Sequence, residues 1–409
     1  MTRNILLYLL LACILTSVES CSPTESSSPN IIDSTAEIID IPHFDEGDIY
    51  IQSNEFLDTI YFVPLETNDN SIVGYIDKIQ VVGDTIYVLD IRNTKSLKRF
   101  TINGKYIDQI GNLGRGPGEY LQPTNFWVDE KDIIISDCYQ NKVIFFTLDG
   151  SFIKEVLTPF NIHQLARIDD NEFIINIYKD KKIKDFSLIV TDSTFQESKK
   201  ELYYRPLDKY VLFSNALSLS KNKDGIFYFD NVGDSISKIN KHGGAVAKYI
   251  FKFNTHSQGD IFKKKAQNEQ NQLSDAQKYL TLGSSLLQTD DFVFADLFKE
   301  KSLYHLVYSK RSKTSKIFTS FSLDETNPLV IPCWPPIATT KNNTFISRVD
   351  AFFITDYWCK NLDPENLKKN KIDPNAPSVR QCKELCSLLK AEDNPVVIFF
   401  KIKDYEFDN

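Results

Sequence analysis

Acidic side chains recur at the ends of short apolar runs, and no other pattern in the chain points so directly to chemistry. A ring of such carboxylates could bind a divalent cation or serve as general acid and base. The recurring residues are Asp90, Asp137, Asp230, Asp296 and Asp356. A residue repeated at the same place in most units is explained more economically as structural, because aspartate at a strand end caps the following turn. We therefore expect turn caps and predict no metal site.

The usual sequence signatures of catalysis are missing. The sequence contains no GxSxG elbow, no HExxH pair, no P-loop and no EF-hand loop. Its histidines are scattered over His43, His163, His242, His256 and His305. Separated residues could still converge in a channel, so a metal-dependent hydrolase, lactonase or lyase remains the alternative hypothesis. We favour a non-enzymatic binding protein and expect no cofactor.

A glycine-rich loop, GNLGRGPGEY at residues 111–120, is the leading candidate for ligand binding. Its glycines permit backbone angles that other residues resist, and its proline stiffens the loop. One interpretation is an internally satisfied turn in which Arg115 pairs with Glu119. In the other, Arg115, Glu119 and Tyr120 offer a donor, an acceptor and an aromatic surface to a ligand. The same surface is expected to include Arg92, Tyr139 and Asn141.

Five cysteines lie beyond the N-terminal region, at Cys138, Cys333, Cys359, Cys382 and Cys386. The odd number leaves at least one thiol unpaired. Cys382 and Cys386 are four residues apart in a helical pattern, so Cys359 or Cys333 could join them as a disulfide or metal partner. No histidine or second cysteine pair accompanies them, which favours small buried residues with at most one disulfide.

The elements that position these residues form a repeat. A five-residue apolar and aromatic run recurs six times, at intervals of 40 to 66 residues between the run ends. The runs are IYVLD (86–90), IIISD (133–137), FIINI (173–177), IFYFD (226–230), FVFAD (292–296) and FFITD (352–356). These intervals suit the blades of a β-propeller, with insertions.

Each run has similar neighbours. In the first unit, strands are predicted at 75–81, 86–90, 97–102 and 106–110, with an Asn-Gly turn before the last. The second unit repeats this pattern, with Asp-Gly at the equivalent turn. Four antiparallel strands per unit, repeated six times, predict an all-β fold: a six-bladed β-propeller of four-stranded blades.

The sixth unit lacks a fourth strand. Its predicted strand at 352–356 is followed by a helical or loop insertion that contains residues 379–390, and then by a strand at 396–402. A spare strand, TIYFVPL at 59–65, precedes the first complete unit. Donating it to the last blade would close the ring and remove an exposed edge. A second helical insertion is expected at 260–280.

The N-terminus has the pattern of a targeting segment. Arg3 provides a positive charge, residues 5–15 are apolar, and this run is too short to span a bilayer. Val-Glu-Ser-Cys at 18–21 resembles a bacterial lipobox, so we expect palmitate and related acyl groups on Cys21. Cys13 is a competing site, and simple cleavage or retention is a further alternative. The predicted division is a signal peptide at 1–20, a tether and lead-in at 21–55, and the propeller at 56–409.

The composition of the chain excludes some classes of protein. The sequence is 42% hydrophobic and 12% aromatic, which is typical of a folded, β-rich protein and excludes a disordered one. The formal net charge of −8 repels phosphate backbones. We therefore expect no nucleic-acid partner.

Two segments carry a resemblance to a known family. The loop at 111–120 and the closing DNPVVIFFKIK at 393–403 are similar to the six-bladed β-propeller lipoproteins of the Bacteroidetes, and the chain looks more remotely like NHL-type propellers. The resemblance implies a lipid anchor and a location in the cell envelope, most consistent with the outer membrane. From the residues, we expect a membrane contact through the N-terminal lipid and an unidentified protein, peptide or glycan ligand.

Overall fold

The computed structural model of the chain describes residues 32–44, 47, 49–178, 185–206, 219–222, 224–229, 234–240, 244–253, 280–299, 302–324, 327–331, 335–340, 342–369, 372–375 and 377–403. The predicted signal peptide, Cys13, Cys21, Asp230, Cys333 and nearly all of the predicted helix at 260–280 lie outside this part. Among the described residues, no helix is long and apolar enough to cross a membrane.

Most of the described chain is β-strand. The first ten strands are β1 (Ile32–Asp40), β2 (Tyr50–Gln52), β3 (Leu57–Pro64), β4 (Lys78–Val82), β5 (Thr85–Asp90), β6 (Ser96–Thr101), β7 (Tyr106–Ile110), β8 (Asn112–Leu113), β9 (Glu119–Tyr120) and β10 (Pro123–Val128). The next ten are β11 (Ile133–Asp137), β12 (Lys142–Phe146), β13 (Phe152–Leu157), β14 (Asn161–Arg167), β15 (Glu172–Tyr178), β16 (Asp185–Asp192), β17 (Ser198–Pro206), β18 (Leu219–Asn222), β19 (Gly225–Phe229) and β20 (Ser235–Ile239).

The remaining strands are β21 (Ala245–Lys252), β22 (Thr281–Gln288), β23 (Phe292–Lys299), β24 (Ser302–Ser309), β25 (Ser315–Phe318), β26 (Ser320–Asp324), β27 (Asn327–Ile331), β28 (Ala338–Thr339), β29 (Thr344–Val349) and β30 (Val396–Ile402). The helical segments are α1 (Ser53–Phe56), α2 (Ala351–Phe353), a π-helix (Ile354–Cys359), α3 (Pro364–Lys369) and α4 (Pro377–Leu388).

Six groups of four antiparallel strands form the blades of a β-propeller, as the repeat predicted. From the inner to the outer strand, the blades are β4 to β7, β10 to β13, β14 to β17, β18 to β21, β22 to β25, and β28, β29, β30 and β3. The innermost strands of neighbouring blades contact one another at several junctions around the ring. We number the blades 1 to 6 in this order.

The second strands are buried on both faces because each blade packs between two others. All five residues of β11 are buried, as are five of the six in β5. The apolar cores accordingly lie between blades, and the layer between blades 1 and 2 includes Leu89, Phe126 and Ile144. Burial on both faces explains why these strands read as continuous apolar runs rather than as alternating ones.

A strand from the N-terminal part of the chain closes the ring. Strand β3 pairs antiparallel with β30, with Thr59 opposite Lys401 and Pro64 opposite Val396. This confirms the predicted donation of a strand to the last blade. The chain then continues directly towards blade 1, where a Cβ atom at Gly104 would collide with the Pro64 carbonyl oxygen.

The segment before β3 crosses the outside of two blades. Strand β1 adds a fifth, parallel strand to blade 4. The ring of Phe44 then packs on Tyr304 of blade 5, at 4.8 Å between ring centroids. Finally, β2 pairs in parallel with β26, which follows the outer strand of blade 5. Residues assigned to the lead-in by sequence are therefore joined to the propeller from position 32 onward.

The prediction of a strand at 352–356 is wrong. Strand β29 takes the second position of blade 6 and pairs with β30, while residues 352–356 belong to α2 and the π-helix. Ile354 and Trp358, four residues apart, are both buried on one side of the helical segment. A five-residue apolar run does not distinguish strand from helix by periodicity alone, and helical packing against blade 6 decides the outcome here.

The helical insertion connects the second and third strands of blade 6. A disulfide joins Cys359 to Cys386, and Trp358 packs edge-on against Phe62 of β3, at 5.7 Å. Cys382 is a buried free thiol, and Cys138 is also free. The disulfide thus crosslinks two parts of the insertion, and apolar contacts hold the insertion against strand β3.

Candidate functional site

Two kinds of loop meet at one end of the propeller. In blade 1, Asp90 at the end of β5 is paired with Ser96 at the start of β6, and Leu89 is paired with Lys78 at the start of β4. The turns after second strands and the linkers before first strands therefore lie at the same end. We call this end, in blades 6, 1 and 2, the mouth.

Asp90 holds the turn of blade 1 and the linker beside it. Its buried carboxylate accepts hydrogen bonds from the backbone N–H groups of Gly74 (2.8 Å) and Tyr75 (3.2 Å) in the linker. It also accepts from the turn, where the donors are the backbone N–H groups of Arg92, Asn93 and Thr94 and the Thr94 hydroxyl. With these acceptor sites occupied, Asp90 is a structural cap, as expected.

Asp137 repeats this arrangement in blade 2. Its carboxylate accepts from the linker at the N–H of Leu121 (2.6 Å) and from the turn at the N–H groups of Tyr139 (2.8 Å) and Gln140 (3.1 Å). The Gln140 side chain also donates to it, at 2.9 Å. The same capping role in two blades explains why aspartate recurs at the ends of their second strands.

Two other aspartates of the series, Asp296 and Asp356, do not repeat this arrangement, and Asp230 lies outside the described residues. Asp296 lies within β23 rather than at its end and is buried against His305, with 2.8 Å between its Oδ1 and the ring Nδ1. Asp356 lies on the π-helix and forms an ion pair with Lys360. Within the part of the chain that is described, no three acidic, histidine or cysteine side chains gather as metal ligands.

The glycine-rich loop folds around Glu119. Its carboxylate accepts a hydrogen bond from the N–H of Gly116 (2.7 Å), and it forms no ion pair with Arg115, which was one of the two interpretations of this loop. Gly118 adopts a positive φ of 76°, which favours glycine, and its N–H donates to Glu155. The Arg115 side chain is exposed and has no hydrogen bond or ion pair to any residue in the described ranges.

Tyr120 cannot offer an aromatic surface to a ligand because its side chain is fully buried. Its hydroxyl donates to the Ile110 carbonyl at 2.9 Å and accepts from the N–H of Leu97, and burial raises its pKa above the usual value. The ring instead fills the core between blades 1 and 2. Of the three loop residues expected at a ligand, only Arg115 is both exposed and unengaged.

The two other exposed candidates occupy equivalent places. Arg92 and Tyr139 are each the second residue after a capping aspartate, and Tyr139 is 70% exposed. Asn141 has a positive φ of 50°, like Lys95 in blade 1, and its carbonyl accepts the N–H of Thr158. Asn141 therefore shapes the turn, whereas Arg92 and Tyr139 present side chains at the mouth.

Sequence reasoning missed two residues at the mouth. Tyr75, in the linker before blade 1, has the Arg92 guanidinium carbon 4.4 Å from its ring centroid and that of Arg348 4.1 Å away. Arg348 also donates through Nη2 to the Tyr75 hydroxyl. Its position in TFISRV, next to an apolar run taken for a strand, gave no sign of this contact.

A lysine lies on the inner wall of the ring. Lys78 Nζ donates to Asn125 Oδ1 (2.9 Å) and to the Phe126 carbonyl (2.6 Å) of blade 2. Burial lowers the pKa of this amine to about 7. Its two bonds join blades 1 and 2 near the mouth, so Lys78 has a structural role.

Comparisons with known proteins agree with this architecture. A family model described as a domain of unknown function (DUF4934) matches residues 36–401. A Bacteroides fragilis protein described as exported is similar in structure, with a TM-score of 0.68 and 21% identity, over 90% of this chain and 100% of that one. No curated protein matches.

Two further solved structures are more distant. A Bacteroides vulgatus member of the DUF4221 family gives a TM-score of 0.46 at 10% identity, over 87% of this chain and 100% of that chain. Virginiamycin B lyase from Staphylococcus aureus gives 0.38 at 13% identity, over 71% and 81%.

Proposed function

The chain belongs to the DUF4934 domain family, and we propose from its own geometry that it is an exported, lipid-anchored binding module. Its ligand binds at the mouth, and binding rather than catalysis is its function. The observation that carries this proposal is a pair of exposed side chains, Arg92 and Tyr139, on turns whose backbone is fixed by buried carboxylates.

Exposed side chains on rigid turns are well suited to binding a ligand. Side chains on turns that are already ordered lose less conformational freedom when a ligand arrives, and binding residues concentrate on loops held by a rigid scaffold. Tyrosine and arginine are also the side chains most enriched where proteins make strong contacts. Arg115, exposed on the neighbouring loop, adds a third such group to the mouth.

Export and anchoring are supported by the N-terminal pattern. The charged and apolar segments precede Val-Glu-Ser-Cys at 18–21, and the similar Bacteroides fragilis protein is described as exported. Cys21 would carry the lipid, and the serine-rich residues after it would serve as a tether to the first strand. The envelope, and within it the outer membrane, is the proposed location.

The double variant Arg115→Ala/Tyr139→Ala should reduce crosslinked partner capture from intact cells at least tenfold, because it removes two exposed contact groups. Its melting temperature should stay within a few degrees, since both side chains are exposed and no described contact depends on either of them. Leu148→Ala, in an exposed turn of the outer strands of blade 2, is the matched control and should leave capture unchanged.

In the same cells, Cys21→Ala should release the chain from the membrane fraction. Capture that survives in the double variant would contradict binding at the mouth. Retention of Cys21→Ala in the membrane fraction would contradict the lipid anchor.

A further inference from the structure

The mouth contains two guanidinium groups on one aromatic ring. Arg92 from blade 1 and Arg348 from blade 6 both lie within 4.4 Å of the ring centroid of Tyr75. We call these three side chains the Arg–Tyr–Arg stack. An aromatic ring attracts a cation, but two cations held on one ring repel each other. The arrangement therefore favours a bound anion.

Arg348 has few partners for a guanidinium that is mostly enclosed. It has five N–H donors, and its one hydrogen bond to the described chain goes to the Tyr75 hydroxyl. The nearby Asp77 carboxylate already accepts from Arg92 Nε and from the N–H of Ile91, each at 2.8 Å. Asp350 is exposed, and its carboxylate makes no hydrogen bond to the described residues. Burial lowers the pKa of Arg348.

Two other enclosed arginines in the described part of the propeller have carboxylate partners. Arg99 donates to both carboxylate oxygens of Asp108 and to the carbonyls of Leu148 and Asp149. Arg167 pairs with two aspartates on the turn of blade 2. Arg348 thus differs from these two in having no carboxylate of the described chain hydrogen-bonded to it, and it lies at the mouth.

We infer that the Arg–Tyr–Arg stack binds a carboxylate group of a ligand that enters the mouth. This inference rests on the proposed function, because it assigns chemistry to that binding surface. The planar fork of a guanidinium matches the two oxygens of a carboxylate. Asp77 and Asp350 beside the two arginines offset part of their positive charge, which disfavours a dianionic phosphate relative to a monoanion.

The test is calorimetric titration of the purified full chain with paired small probes. Glucuronic acid is compared with glucose, and N-acetylglycine with N-acetylglycinamide, at constant ionic strength. We expect at least one acid to bind tenfold or more tightly than its neutral counterpart, and the pair that responds identifies a sugar acid or a peptide terminus as the source. Inorganic phosphate, the third arm, should bind more weakly than that acid.

Arg348→Gln should abolish the preference for the acid, and Arg348→Lys should reduce it, because a lysine keeps the charge and loses the fork. Arg380→Gln, an exposed site on α4, is the control and should bind as the wild type does. Arg348→Gln should melt at or above the wild-type temperature, because it removes a buried charge with few partners.

No preference for either acid, tighter binding of phosphate, or an unchanged preference in folded Arg348→Gln would each overturn the inference. These outcomes are separable from failure of the proposed function. If the mouth variants lose partner capture while the probes show no charge preference, binding at the mouth stands and the carboxylate site does not. If acids bind through Arg348 but partner capture does not depend on the mouth residues, the carboxylate site stands and partner binding at the mouth does not.

Discussion

Removal of the chain up to residue 65 should abolish the folded propeller, because this segment supplies the outer strand of blade 6 and crosses blades 4 and 5. Strand β3 pairs with β30 along nearly its whole length and buries Leu57 and Val63. Without it, β30 becomes an unpaired edge, and Val63 and Leu65 are lost from the core between blades 6 and 1. The expected result is aggregation or a chain without a cooperative melting transition, measured by circular dichroism and size-exclusion chromatography.

A pair of point variants makes the same test without truncation. Val63→Asp places a charge in the core between blades 6 and 1 and should lower the free energy of unfolding by about 3 kcal/mol or more. Thr59→Asp puts the same residue at an exposed position of β3 and should change it by less than about 0.5 kcal/mol. Equal stability of the two variants would argue that β3 does not close the ring.

Asp90→Ala should be the most destabilising single change at the mouth. It removes one carboxylate and leaves five backbone N–H groups without that acceptor, two in the linker and three in the turn. Since an unsatisfied buried donor costs about 1 to 3 kcal/mol, we expect a loss of about 4 kcal/mol after relaxation and entry of water. Chemical denaturation monitored by tyrosine and tryptophan fluorescence gives this value.

Asp169→Ala is the matched control for Asp90. Asp169 also caps a turn, accepting the N–H groups of Asn171 and Glu172 at 2.9 Å, but it is exposed. Water can replace those bonds, so the loss should be about 1 kcal/mol or less. If Asp90→Ala were instead as stable as the wild type and lost ligand binding, the carboxylate would be part of a ligand site.

The fold could be predicted from the sequence because the second strands are buried on both faces. That burial requires continuous apolar runs such as IIISD, and the capping aspartate follows from the turn after the strand. The exception is blade 6, where FFITD is apolar for a different reason. It packs a helical insertion onto blade 6, and a five-residue run contains less than two helical turns in which to show a helical period.

The candidate site could be predicted less well from the sequence than the fold. Tyr75 and Arg348 are 273 positions apart and meet only because the ring closes between blades 6 and 1. Tyr120 stands in the same loop as Arg115, yet the linker turns inward at that point and buries its ring. Local patterns identified the turns that display side chains, but which side chains point outward depends on packing between blades.

Site-specific photocrosslinking in intact cells determines whether the mouth is the binding surface. A benzophenone amino acid replaces Tyr139 at the mouth in one strain and Leu148 on the outer turn of the same blade in another; both positions are exposed. We expect a discrete adduct from position 139 that is absent from position 148. Equal adducts from both positions, or an adduct from position 148 alone, would contradict binding at the mouth.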